Sequence, residues 1–141
     1  MSVHFSSQRQ NWKTPRKFYD ELNKEFNFDF DPCYADGNVT WENNGLAIDW
    51  GHRNFVNPPY SNCAEWCKKA WIEAQKGKVV VMLIPSRTDT TYWHDFVMRA
   101  NEIRFVKGRL KFDGQKNSAP FPSAIIIYRG VEQPNQGGEI G

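Results

Sequence analysis

Residues 78 to 85, "KVVVMLIP", carry no polar side chain between the lysine that opens the run and the proline that closes it. A strand with one wetted face alternates apolar and polar residues, so an unbroken apolar run demands cover on both faces. At six residues "VVVMLI" is far too short to span a bilayer. The run therefore predicts a central, parallel strand, and the chain must supply helices to lie on each side of it.

The flanking segments meet that demand. "WKTPRKFYDELNKEF" predicts a helix with Thr14 as N-cap, Pro15 at its first position and an apolar stripe of Phe18, Tyr19, Leu22 and Phe26. A second helix is expected to start at Asn62, with Glu65 completing a capping box, and to stop at Gly77. Its buried face would hold Cys63, Trp66, Cys67, Ala70, Trp71 and Ala74. "TDTTYWHDFVMRA" predicts a further helix. Strands are expected in "NFDFDPCYADG", ending near Asp31, in "NFVN", in "NEIRFVKG" and in "AIIIYR". Strands alternating with helices imply an open α/β sheet, and such sheets bind ligands beyond the carboxyl ends of their strands. Asp31, Asn57 and Pro85 fall at those ends.

At 141 residues and 40% hydrophobic the chain has room for one core, a single domain over residues 1–129. Residues 1–10 read as a loosely docked arm, and 130–141 as a flexible tail. The tail holds two Glu and no base, so residues 1–129 carry 18 − 14 = +4. Between Arg99 and Lys116 there are six bases and two acids, which concentrates the excess there. A patch of that size is compatible with phosphate contacts, or with a solvated surface ribbon. Three cysteines, with no CxxC pair and no clustered histidines, point to reduced thiols in a cytoplasm and to no metal site.

The chemistry sits in "NPPY", residues 57 to 60. Proline donates no backbone hydrogen bond and stiffens the residue before it, so this turn offers acceptors and few donors. Such a surface suits a substrate that arrives as an N–H donor. An exocyclic amine or amide nitrogen is a weak nucleophile because its lone pair is delocalised. The Asn57 side-chain oxygen and the Pro58 carbonyl can each take one N–H and stabilise the positive charge that builds as an electrophile approaches. Pro59 rigidifies the turn, and Tyr60 supplies a flat face for a planar group.

With these motifs the chain resembles the phage-type DNA N6-adenine methyltransferases of the NPPY amino-methyltransferase superfamily. The resemblance covers roughly residues 12 to 128 and rests on "WKTP", "DPCYADG", "NPPY", "LIPSRTDTTYWHDF" and "IRFVKGRLKFDGQKNSAPFPSAIIIY". It implies a compact Rossmann-like sheet with helices on both faces, and S-adenosylmethionine as cofactor. The catalytic turn would be Asn57, Pro58, Pro59 and Tyr60, and the cofactor would meet Thr14, Pro15, Asp31, Pro32, Cys33, Asp49 and Asn57. Glu42 is a weaker candidate for the ribose. One departure is that the cofactor loop has only Gly37 where the family pattern has GxG.

The implied partner is DNA, with the target adenine flipped out of its stack. Arg87, Arg104, Lys107, Arg109, Lys111 and Lys116 are the candidate phosphate contacts, and Asn117 and Ser118 the candidate base readers. The resemblance also implies a cytoplasmic enzyme of a bacterial cell, encoded by a phage or prophage, with no membrane association. RNA methylation, glutamine methylation in proteins, and a nucleic-acid-binding relative without catalysis stand beside this reading.

Overall fold

A computed structural model describes residues 12–33 and 44–130. The arm at 1–10, the tail beyond Gly130, Glu42 and the Gly37 loop lie outside the described residues.

Helix α1 spans Arg16–Phe26, strand β1 Arg53–Val56, helix α2 Cys63–Ala74, strand β2 Val79–Pro85, the short helix α3 Thr91–Asp95, strand β3 Glu102–Phe105 and strand β4 Ser123–Tyr128. The sheet runs β1-β2-β4-β3. The pairing of β1 with β2 is parallel, whereas β4 runs antiparallel to both β2 and β3. The central strand is thus parallel on one side only, a mixed sheet where a parallel one was expected. β4 follows β3 directly through the loop at 106–122 without a crossover helix, and only an antiparallel return is open to such a connection.

The apolar run does what its pattern demanded. Val80, Met82 and Ile84 face Trp66, Cys67, Ala70 and Ala74 of α2 together with Trp93 of α3. Val81 and Leu83 face the opposite way, into a core with Leu22 of α1, Phe55, Phe112 and Phe121. Helices therefore cover both faces. Trp71 is only half-buried, while Glu73, unforeseen, is fully buried.

Four local expectations are corrected. The segment around Phe30 forms a single parallel bridge to Asn54 and no strand. Pro15, with extended backbone, precedes the first turn of α1, and Thr14 does not cap it. The free Arg16 N–H is met instead by the Asp113 carboxylate at 3.2 Å, from a loop 97 residues away. At α2 there is no capping box, because residues 60–62 first form a 3₁₀ turn in which the Asn62 N–H donates to the Pro59 carbonyl, 3.0 Å. The second helix ends at Ala74, short of the expected stop at Gly77, which closes the following turn at φ 91°.

β3 runs in the direction of β2, so β1, β2 and β3 all finish at one sheet edge. From that edge leave the Asn57 turn, the Ser86–Thr90 segment and the loop at 106–122.

Candidate active site

Asn57 is the first residue beyond β1, and its amide is held on both sides. Nδ2 donates to the Trp12 carbonyl and to Thr14 Oγ1, the latter at 3.0 Å. Because a carbonyl can only accept, the orientation of the amide is settled: nitrogen toward residues 12–14, oxygen away. Oδ1 accepts from the Tyr60 hydroxyl at 2.7 Å. Among the described residues none donates to the carbonyl of Pro58, a buried residue, so the turn holds a backbone acceptor without a partner next in sequence to an amide oxygen with a lone pair to spare.

Tyr60 also engages the turn through its hydroxyl. Its ring stands edge-on to Phe121, centroids 5.5 Å apart, and its hydroxyl lies between Asn57 Oδ1 and the Leu83 carbonyl, 3.3 Å away. Burial pushes the phenol well above its ordinary pKa, so it is a neutral donor.

The opposite wall comes from Asp31, Pro32 and Cys33. The Cys33 thiol donates to the Asn57 carbonyl at 3.2 Å, and the Cys33 N–H donates to Asp31 Oδ1 at 3.0 Å. Pro32 is buried and fixed by Gly45, where an added Cβ would lie 2.2 Å from the Pro32 carbonyl oxygen. That glycine is required by the close approach of two loops. Desolvation pushes the Asp31 carboxyl up to about 6, and the Cys33 bonds offset only part of the shift. No lysine or arginine among the described residues pairs with it. The site thus keeps a partly buried carboxylate without a counter-charge, the chemistry of a seat for an ammonium group.

Residues 12–15 tie these walls to the basic loop. The Trp12 ring packs edge-on against Phe112 and Phe121, at 5.5 and 5.3 Å, and Lys13 forms a bridge to Asp113. Trp12 and Asp113 are site-building residues that sequence reasoning missed, since the first acts through its carbonyl and the second through a long-range cap.

Thr14, Pro15, Asp31, Pro32, Cys33 and Asn57 therefore come together, along with Pro58 to Tyr60. Asp49 is 81% exposed and paired with Lys76 at 2.9 Å. Of the candidate phosphate contacts, Arg87, Lys107, Arg109, Lys111 and Lys116 are exposed, as are Asn117 and Ser118. Arg104 is committed within the fold: its guanidinium meets Glu25 at 2.8 and 2.7 Å and Glu102 at 2.6 Å, over the Phe26 ring. No group of His, Cys, Asp and Glu among the described residues could hold a metal ion.

A mixed α/β sheet with helices on both faces, carrying Asn-Pro-Pro-Tyr beyond its first strand, is an α/β domain with the amino-methyltransferase signature. The family model for DNA N-6-adenine-methyltransferase (Dam) matches residues 2–137, and the chain belongs to that family. It is 30% identical over 110 residues to the DNA N-6-adenine-methyltransferase of Haemophilus phage HP1 (strain HP1c1), covering 71% of this chain and 64% of the relative. With the DNA N-6-adenine-methyltransferase of Escherichia phage T1 it shares 28% identity over 146 aligned positions, 94% of this chain and 61% of that protein. The chain thus spans about three fifths of the length of these relatives. No solved structure gives a significant match.

Proposed function

We propose that the protein transfers the methyl group of S-adenosylmethionine to the exocyclic amine of adenine in DNA, on a compact Rossmann-like methyltransferase sheet. The observation that carries this reading is the Asn57 turn. Its amide oxygen is pointed away from its own anchoring bonds, beside a Pro58 carbonyl that no described residue engages. Two acceptors side by side fit the two hydrogens of an –NH₂ group and resist ligands that bring only acceptors.

When bound, S-adenosylmethionine supplies an electrophilic methyl group on a sulfonium. The Asp31 carboxylate, raised by burial and lacking a cation, fits the methionine ammonium. Thr14, Pro15, Pro32 and Cys33 border the same space, and Asp49 is the proposed contact to the cofactor's adenine. Asn57 Oδ1 and the Pro58 carbonyl would hold the two amino hydrogens and draw the nitrogen toward tetrahedral geometry. The two acceptors would stabilise the positive charge that develops on the amine nitrogen as it takes the methyl group. The nitrogen's extra proton then leaves to solvent.

The target adenine reaches Asn57 only after leaving the stack, at a cost of a few kcal/mol. Arg87, Lys107, Arg109, Lys111 and Lys116 are exposed on segments that leave the sheet edge and would hold the phosphates, with Asn117 and Ser118 as the proposed base readers. Transfer of a labelled methyl group to duplex DNA, single-stranded DNA, RNA and protein in parallel tests the reading. N6-methyladenine in DNA is the expected product. Label confined to protein or RNA would replace the substrate, and no transfer to any of them would refute the activity.

A further inference from the structure

We infer that Thr14 is a positioning residue for the transfer step, its hydroxyl fixing which end of the Asn57 amide faces the substrate; the inference rests on the methyl-transfer reading above. A primary amide has two orientations of nearly equal shape, with oxygen and nitrogen exchanged, and only one offers an acceptor. A turn that activates an amine must exclude the other orientation, in which its own NH₂ would confront the substrate's.

The structure shows how exclusion is achieved. Both Asn57 N–H groups are consumed, one by the Trp12 carbonyl and one by Thr14 Oγ1 at 3.0 Å. Exchanging the amide ends would bring Oδ1 against the Trp12 carbonyl, two acceptors without a hydrogen between them. The Trp12 ring packs edge-on against the Phe112–Phe121 pair, which resists movement of its main chain. Double donation from Nδ2 also polarises the amide and strengthens Oδ1 as an acceptor. On the far side the Tyr60 hydrogen has two acceptors in reach, Oδ1 at 2.7 Å and the Leu83 carbonyl at 3.3 Å. Movement of that one hydrogen to Leu83 would free both lone pairs of Oδ1 for the substrate. Thr14 Oγ1 thus accepts from Asn57, and the same short segment proposed to border the cofactor sets the catalytic amide.

The test is a double-mutant cycle read by single-turnover methyl transfer to duplex DNA at saturating S-adenosylmethionine. Thr14→Val removes the acceptor at constant volume and should slow transfer by about ten-fold, the effect of one buried N–H left unpaired. Its cofactor Kd by calorimetry should stay within about three-fold of the parent, and Thr14→Ser should restore the rate to within about two-fold. In an Asn57→Ala background, which has no side-chain amide to hold, Thr14→Val should cost nothing further. A ten-fold loss in both backgrounds would overturn the inference. So would a weakened cofactor Kd with an undiminished rate, which would make Thr14 a cofactor contact. If Thr14→Val does not fold, Thr14→Ser decides: a folded serine variant with a ten-fold slower rate contradicts the hydroxyl's role. A parental protein that transfers no methyl group would overturn the methyl-transfer reading and this inference together.

Discussion

At the residue scale the molecule keeps an expensive group where it works. Asp31 carries an ordinary unfolded pKa of 3.8 and one of about 6 in the fold, so its charged form is disfavoured by folding. The penalty is absent below the unfolded pKa, where the carboxyl is protonated in both states, and is fully present once the pH rises past about 6. Asp31→Asn should therefore stabilise the ligand-free protein by about 1–3 kcal/mol at pH 8 and by nothing measurable at pH 3. The same variant should lose S-adenosylmethionine affinity, and the parent's affinity should fall as the pH drops below about 6. Thermal melts at the two pH values and calorimetry across the range check both halves; unchanged affinity would remove Asp31 from the site. Asn57 was placed from the sequence at the end of a strand that does form, whereas Asp31 was placed at the end of one that reduces to a single bridge at Phe30. The direction of the Asn57 amide was not legible, since it depends on the carbonyl of Trp12, 45 residues earlier.

At the element scale, α2 is anchored by a charge that helical periodicity could not foretell. Glu73 falls on the buried face, and its carboxylate takes the Trp50 N–H at 3.1 Å with Lys69 and Lys76 at 3.0 and 2.9 Å, and Lys78 beside them. Desolvation works to raise its pKa, but three ammonium groups and the N–H outweigh it and hold the carboxyl at about 2. The sign is opposite to that of Asp31: Glu73 contributes stability above about pH 4.5, which is lost as the pH falls toward 2. Glu73→Gln should cost about 3–5 kcal/mol at pH 7, as buried pairs broken on one side do. Denaturant melts should show that deficit shrinking between pH 4.5 and pH 2; a constant deficit would mean that packing alone was lost. The two side-chain caps were misjudged for a related reason, although the second helix does start at Asn62. Thr14 and Asn62 have the right chemistry for caps, but tertiary partners claimed the first and a 3₁₀ turn the second. The apolar run at β2 was the most legible element, since solvent exclusion on both faces leaves no alternative pattern.

At the scale of the whole molecule, the loops leaving one sheet edge divide their work between holding the site and facing a polyanion. Arg104, on β3, belongs to neither group: it ties that strand to α1 through Glu25 and also meets Glu102. Arg109 and Lys111 belong to the second. Each, changed to Ala, should weaken DNA binding about equally for all sequences and lower the salt slope by roughly one ion. Fluorescence anisotropy over a salt series measures this, and a change of sequence preference at constant slope would make them base readers. All these parts converge on the two acceptors of the Asn57 turn, and the most direct measurement is single-turnover methyl transfer to duplex DNA by the parent, Asn57→Ala and Asn57→Asp. The account predicts a loss of about two to three orders of magnitude for Asn57→Ala with cofactor affinity largely kept, and a smaller loss for Asn57→Asp, whose carboxylate still accepts. Transfer by Asn57→Ala at the parental rate would contradict it.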